Sequence, residues 1–427
     1  MSNLMRAVFT VMPLLANTRG RLSRLFVPLS HPPLAKPAPR QFPEEPDNYK
    51  PGGYHPVSLG DTFDSKRYTI LRKLGYGLYS TVWLARDSKC QRFVALKVLR
   101  ADCYGRPHHA FEREVLEKIR EVTRESSHEG PNYLSPLLDQ FTHKGPNGDH
   151  VCLTFDVLGH DLYIEAATYK GGRLPVKAVK EIVRQLLMGL DFLHRKCGVI
   201  HTDLKSTNIL LDLQITNDAV SEYLECVPPR TTDGQYGAIL PLQEIITTAS
   251  EKASLHVRII DFGVASWRNK HLGEVIQPLA LRAPEVTLGA SWDTGVDIWN
   301  LGCLVIEFLH GYVIFPGSES KKGTWSAEES HLAKIVKVLG PFPSSLLKKG
   351  RRSAELFDER GKLIRGPRYK RSSLECMLND KVSPHNKPSG MSEKEFAIFV
   401  DFLKGMLEID PTKRKSAAQL LQHEWLS

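Results

Sequence analysis

The chain has 427 residues, 41% of them apolar and 25% charged, which allows a core of ordinary size in one large domain or two smaller ones. No stretch of about 18 apolar residues occurs, so no membrane-spanning helix is expected. The seven cysteines are scattered with no C-x-x-C pair, a pattern of reduced thiols and not of disulfides or zinc. The net charge of +9 is confined to two places: residues 1–43 carry six basic and no acidic residues, and residues 348–371 carry ten basic against three acidic. The remainder is slightly acidic, and no direct nucleic-acid partner is expected.

Residues 1–43 combine arginines with apolar stretches and lack acids, which fits a mitochondrial-type targeting peptide. They equally fit a basic extension, because Pro13, Pro28, Pro32, Pro33, Pro37 and Pro39 break any long helix. Residues 31–51 are a proline-rich linker, and ordered sequence begins near residue 52. From Tyr68 to Val98, "YTILRKL", "STVWLAR" and "FVALKVL" are β-branched and aromatic runs separated by turn residues, the pattern of antiparallel hairpins. A helix over 108–125 places Phe111, Val115, Leu116 and Ile119 on one face. Another strand runs over 150–159. Beyond it the pattern is mostly helical, with helices over 176–198, 294–311, 392–410 and 416–426.

Three constellations carry chemistry. The turn "LGYGLYS" at 74–80 offers glycines that let backbone N–H groups approach phosphates; alone, it reads as well as a tight hairpin. In "VALK" at 94–97, Lys97 sits in an apolar strand, where burial requires a partner, and Glu114 on the next helix is the expected one. In "VIHTDLKSTNILL" at 199–211, Asp203 can accept a hydroxyl proton and Lys205 can offset charge on a phosphoryl group. Asn208 offers a hard oxygen ligand, and Asp261 in "RIIDFGVA" offers another.

Their order and spacing resemble the protein-kinase signature set, with "APE" at 283–285, Asp297 and Arg414 also in place. Closer features, "GGYHPV" at 52–57, "VLGHDL" at 157–162, "HTD" at 201–203 and the separation of 53 positions from Asn208 to Asp261, resemble the SR-protein kinase family. That family phosphorylates serines of Arg/Ser-rich splicing factors. Echoes of LAMMER-type kinases are weaker. The resemblance covers residues 52–427 and implies an α+β bilobal kinase fold. A small β-rich N-lobe would span 52–158 and a larger helical C-lobe 159–427, with a spacer insert near 213–256 and a basic extension at 1–51.

The resemblance implies an ATP- and Mg²⁺-dependent serine/threonine kinase acting on protein substrates, monomeric, in cytoplasm and nucleus, or in mitochondria if residues 1–43 direct import. Leu74, Gly75, Gly77, Ser80, Val82, Ala95, Lys97, Phe155, Asp156 and Leu158 would surround the nucleotide. Asn208 and Asp261 would hold the metal; Asp203, Lys205, Lys97 and Glu114 would act in catalysis. A pseudokinase scaffold is the competing reading, opposed by the intact set of polar residues. Thr202 replaces the arginine that in many kinases binds a phosphate on the activation loop, and Ser266 is the one hydroxyl between Val264 and Arg282, so activity without loop phosphorylation is expected. Two departures bear on substrate preference. Lys334 and Lys337 dilute the acidity of 328–343, where the family docks Arg-rich peptides, and Pro278 replaces a threonine that kinases often use to bridge the catalytic aspartate and lysine.

Overall fold

The structure, a computed structural model, describes residues 45–104, 110–227, 255–380 and 386–427. The targeting-segment reading of 1–43 and most of the insert lie outside the described residues. Six antiparallel strands form one sheet in the order β1-β2-β3-β4-β6-β5: β1 (Thr62–Phe63), β2 (Tyr68–Gly77), β3 (Ser80–Asp87), β4 (Arg92–Leu99), β5 (Asp139–Gly145) and β6 (Gly148–Phe155). Period-two alternation sends Trp83, Val94, Leu96 and Val98 into one buried cluster with Val57, Phe63 and Ile70, each worth about 1.5–3 kcal/mol of burial. Val82, Ala95 and Lys97 turn to the other face and stay half-buried. Helix α1 (Glu112–Glu125) packs its Val115, Leu116 and Ile119 against the main core.

The helical lobe is built on α3 (Val176–Phe192), which follows the short α2 (Leu162–Thr168). Val179, Ile182, Val183, Leu186, Leu187 and Leu190 of α3 are fully buried, an apolar stripe at helical spacing. The helix widens into a last π-helical turn over Leu193–Cys197 and stops at Gly198, whose φ of 65° is left-handed. Two-stranded ladders pair β7 (Val199–Ile200) with β10 (Ser266–Trp267) and β8 (Ile209–Leu211) with β9 (Val257–Ile259). The loops between these four strands carry the polar motifs, so the small ladders fix the positions of those residues.

Between β8 and β9 the described part of the insert forms α4 (Asn217–Cys226), capped by Thr216. Asn217 bridges to the β3–β4 hairpin, accepting from the Phe93 amide at 3.1 Å and donating to the Gln91 carbonyl at 3.1 Å. Arg72 donates to the Val227 carbonyl. Further on, α5 (Gly295–His310) is buried nearly all round, as its unbroken apolar run predicts. Helices α6 (Ala327–Leu339) and α7 (Glu393–Met406) complete the lobe. Arg414 grips Glu285 through both guanidinium nitrogens at 2.7 and 2.9 Å, with neither side chain exposed. Removing one partner of such a buried pair costs about 3–5 kcal/mol. Among the described residues no helix is long and apolar enough to cross a membrane.

Candidate active site

The glycine-rich hairpin joins β2 to β3. Gly75 pairs with Val82 and Gly77 with Ser80 in the ladder, and neither glycine has a positive φ. A Cβ built at either would meet nothing within 4 Å. Neither backbone conformation nor protein packing therefore requires glycine here, which leaves clearance for something outside the chain. Leu74 is half-buried at the mouth. Ser80 opens β3 and is buried. Ala95 lies opposite Leu84 and Phe155, and Lys97 opposite Val82 and Leu153, so the half-buried face of the sheet reads Val82, Ala95, Phe155 and Lys97. Asp156, in an ion pair of 3.6 Å with Arg92, and the buried Leu158 continue the chain into the helical lobe.

Lys97 Nζ donates to Glu112 Oε1 at 2.6 Å and to Asp261 Oδ1 at 2.8 Å. Its partner is Glu112 and not Glu114, which instead accepts from Arg113 at 3.1 Å and from the Tyr104 hydroxyl at 3.5 Å. Helical phase is the reason. Glu112 precedes Val115, Leu116 and Ile119 by three, four and seven residues and shares their inward face, whereas Glu114 lies about 200° round the helix. Burial works against the charge on Lys97, but Asp261 and Glu112 outweigh it and hold its pKa above the ordinary lysine value. Lys97 in turn holds the Asp261 carboxyl down, to about 2.

Facing this group, the loop after β7 is pinned from beneath by Asp297 of α5. Its carboxylate accepts from the amides of His201 and Thr202 at 2.8 and 2.9 Å and bonds His194 at 2.8 Å. Thr202 thereby holds φ at 66°, a costly conformation for a β-branched residue. Its hydroxyl donates to the Val264 carbonyl at 2.7 Å, tying this loop to the segment after β9. His201 Nε2 meets the Ile260 carbonyl at 3.0 Å, and Asp261 itself sits at φ 65°. Lys205 Nζ donates to Asp203 Oδ2 at 2.6 Å, and Asn208 donates to the same oxygen at 3.1 Å and to the Asp203 carbonyl at 2.9 Å. The Asn208 amide oxygen takes no part in these bonds, and Asp261 keeps one carboxylate oxygen beyond its bond to Lys97. Those two oxygens fit a hard cation that takes its other ligands from phosphates and water. Among the described residues no group of three or more His, Cys, Asp or Glu forms a self-sufficient metal cage.

Lys97, Glu112 and Asp261 on one side, with Asp203, Lys205 and Asn208 on the other, make a site that can grip polyphosphate and accept a hydroxyl proton. Residues 68–426 match the protein kinase domain family. The chain is a protein kinase of the SR-protein kinase family. It is 36% identical to the serine/threonine-protein kinase SRPK of Physarum polycephalum, over 89% of this chain and 90% of that protein. It is 31% identical to the protein kinase dsk1 of Schizosaccharomyces pombe, over 90% of this chain and 85% of that one. Mouse SRSF protein kinase 3 is 30% identical, over 92% and 94% of the two chains. ATP is accordingly the phosphoryl donor and a protein serine or threonine hydroxyl the acceptor.

The segment that follows Asp261 in this kinase is held by unmodified side chains. Arg268 binds Asp293 through two nitrogens, and Arg351 pairs with Glu274. Gln277, at φ 66°, accepts from the Ala283 amide and donates to Val296 and Asn300. Arg282 donates to the carbonyls of Ile276 and Gln277. Sequence reasoning singled out neither Gln277 nor Arg282; both act through contacts that have no short linear signature.

Proposed function

We propose that this kinase transfers the γ-phosphate of ATP to serines in Arg/Ser-rich proteins of the splicing-factor type, with Mg²⁺ as cofactor. The observation that carries the catalytic part is the double bond of Lys97 to Glu112 and Asp261, opposite the Asp203–Lys205–Asn208 cluster. In this reading Lys97, held by Glu112, binds the α- and β-phosphates. Asp203 takes the proton of the attacking serine hydroxyl as its oxygen forms a bond to the γ-phosphorus. The bond from that phosphorus to the bridging oxygen breaks, and ADP leaves. Lys205 offsets charge on the phosphoryl group in flight. Asn208 and Asp261 would hold Mg²⁺, which when bound neutralises phosphate charge. The substrate class rests on the names of two relatives, which call them SRPK and SRSF kinases. Cytoplasm and nucleus are the proposed locations.

The test is radiolabelled phosphate transfer to an Arg/Ser-repeat peptide, an acidic serine peptide and a neutral one. Wild type is expected to favour the first. Asp203→Ala should lower kcat by about 10³-fold while still binding ATP. Equal activity in the variant would remove the catalytic assignment, and preference for the acidic peptide would remove the substrate assignment alone.

A further inference from the structure

The segment before the sheet reaches into the glycine-rich hairpin. The Tyr54 hydroxyl donates to the Gly77 carbonyl at 2.5 Å and lies 3.3 Å from the Leu78 carbonyl. These are the two carbonyls at the tip, where Leu78 and Tyr79 are exposed. Tyr54 itself is buried, and its backbone is anchored on several sides. Its amide donates to the Asn48 carbonyl at 2.8 Å, and its carbonyl accepts from Asn147 at 2.6 Å. Gly52 and Gly53 accept from the amides of Asp102 and Ala101. A Cβ on Gly53 would fall 2.0 Å from the Asn48 carbonyl, so the tight approach requires glycine there. The Arg100 guanidinium lies over the Tyr54 ring at 5.5 Å, and the Arg100 amide donates to the Tyr79 carbonyl at 2.9 Å.

The direction of those contacts has a chemical consequence. Three residues after Tyr54, Val57 packs with Leu96 and Val98, on the sheet face opposite Lys97. A trans peptide points its N–H away from its C=O. Drawing the Gly77 and Leu78 carbonyls towards Tyr54 therefore turns the Leu78 and Tyr79 amides away from it, to the side on which Lys97 stands. Neither Gly75 nor Gly77 has anything within 4 Å of a would-be Cβ, so that side is open. We infer that Tyr54 is a positioning residue for ATP: its hydroxyl presets the peptide planes of the hairpin tip so that the Leu78 and Tyr79 N–H groups face the phosphates. An unpinned hairpin would have to order those planes on binding, and preorganisation removes that cost.

The inference rests on the ATP reading of the same site, and the assay separates the two. ATP, ADP and adenosine are titrated by calorimetry into the full-length wild type and Tyr54→Phe, with steady-state kinetics alongside. Phenylalanine keeps the ring beneath Arg100 and removes only the hydroxyl. The expected result is a three- to tenfold loss of affinity for ATP and ADP, about the net value of one hydrogen bond. Adenosine affinity should not change. KM for ATP should rise in proportion, with kcat within about twofold and an unchanged melting temperature. Equal losses for adenosine and ATP, or a lower melting temperature with unchanged KM, would make Tyr54 a packing residue and overturn the inference. Asn147→Ala, which loosens the Tyr54 anchor without touching the hydroxyl, should show a smaller loss of the same selective kind. If it shows none while Tyr54→Phe fails to fold, the inference is also lost. Wild-type protein that bound no ATP would remove the nucleotide reading itself, whereas a Tyr54→Phe variant matching an ATP-binding wild type would remove this inference alone.

Discussion

The two halves of the kinase that meet its two substrates treat their carboxylates differently. At the nucleotide side, Asp261 shares one oxygen with Lys97 and keeps the other, and Glu112 fixes that lysine. On α6, where we propose that the protein substrate docks, the carboxylates are taken by the chain's own arginines. Glu328 is bound by Arg352 at 2.7 Å and lies 3.4 Å from Arg282, and Glu329 is bound by Arg365 at 2.9 Å. Burial works against the charge on Glu328, but Arg352 and Arg282 hold its carboxyl below the ordinary range. The strap that carries Arg365 then runs along α6. Gly366 lies against Glu329 and Ala333, Tyr369 lies beneath Lys334 and Lys337, and the Ser372 amide donates to the Lys337 carbonyl. A cation bound with the nucleotide would find an oxygen of Asp261 still free, whereas on the proposed docking side an Arg-rich peptide would find its ion-pair partners already occupied.

The contrast is sharpest at Lys97, where one carboxylate matters and its near neighbour does not. Glu112→Gln removes the charge that opposes the burial of Lys97 and lets the ammonium swing towards Asp261. A fall in kcat/KM of about 10–100-fold is expected, 1.4–2.7 kcal/mol of transition-state stabilisation. Glu114→Gln should stay within about twofold, because Glu114 meets Arg113 and Tyr104 on a half-exposed face, away from Lys97. Steady-state kinetics on the two variants decide the matter. A larger loss from Glu114 would mean that α1 is rotated in the working enzyme.

That pair also marks where reading the residues succeeds and where it stops. Strands β2, β3 and β4 are legible because β-branched and aromatic residues alternate between clear turns. The polar motifs are legible because each depends on a short run whose spacing the chemistry itself imposes. Glu112 was missed although the inward face of α1 was correctly read from Val115, Leu116 and Ile119; extending that phase backwards by one turn reaches Glu112 and excludes Glu114. Strand β5, "DQFTHKG", was missed because half-exposed polar residues carry no alternation, and only pairing with β6 makes it a strand. The Tyr54 contact spans 23 residues, and the arginine pairs of α6 span up to 46. No local pattern encodes partners at such distances.

The substrate side offers the next test. Arg352→Ala frees Glu328 of its closest partner, and Arg365→Ala leaves Glu329 with the Ser326 amide alone of its two described partners. Combining them should lower KM for an Arg-rich peptide about threefold with kcat unchanged, and the gain should shrink as salt rises from 0.05 to roughly 0.5 M. KM for ATP should not move, since the nucleotide side shares no group with these pairs. A KM for the peptide that rises in the double variant would mean that the strap itself forms the docking surface, and the contrast between the two halves would have to be redrawn.

The smallest effect is expected from removing phosphate. Thr202 carries no charge with which to bind a phosphorylated loop, and the segment from Val264 to Ala283 is already held by Thr202, Arg268, Gln277 and Arg282 through neutral or carboxylate contacts. Its one hydroxyl residue, Ser266, is buried in β10, where its oxygen accepts from the Leu272 amide at 3.0 Å. A phosphate there would have to leave the ladder, so modification would break this arrangement and not complete it. Recombinant enzyme treated with phosphatase should therefore keep kcat within about twofold of the untreated protein. Ser266→Ala should do the same, because the hydroxyl contributes only one local hydrogen bond. Inactivity after phosphatase treatment, restored by an upstream kinase, would show that these side chains describe an ordered loop and not a sufficient one.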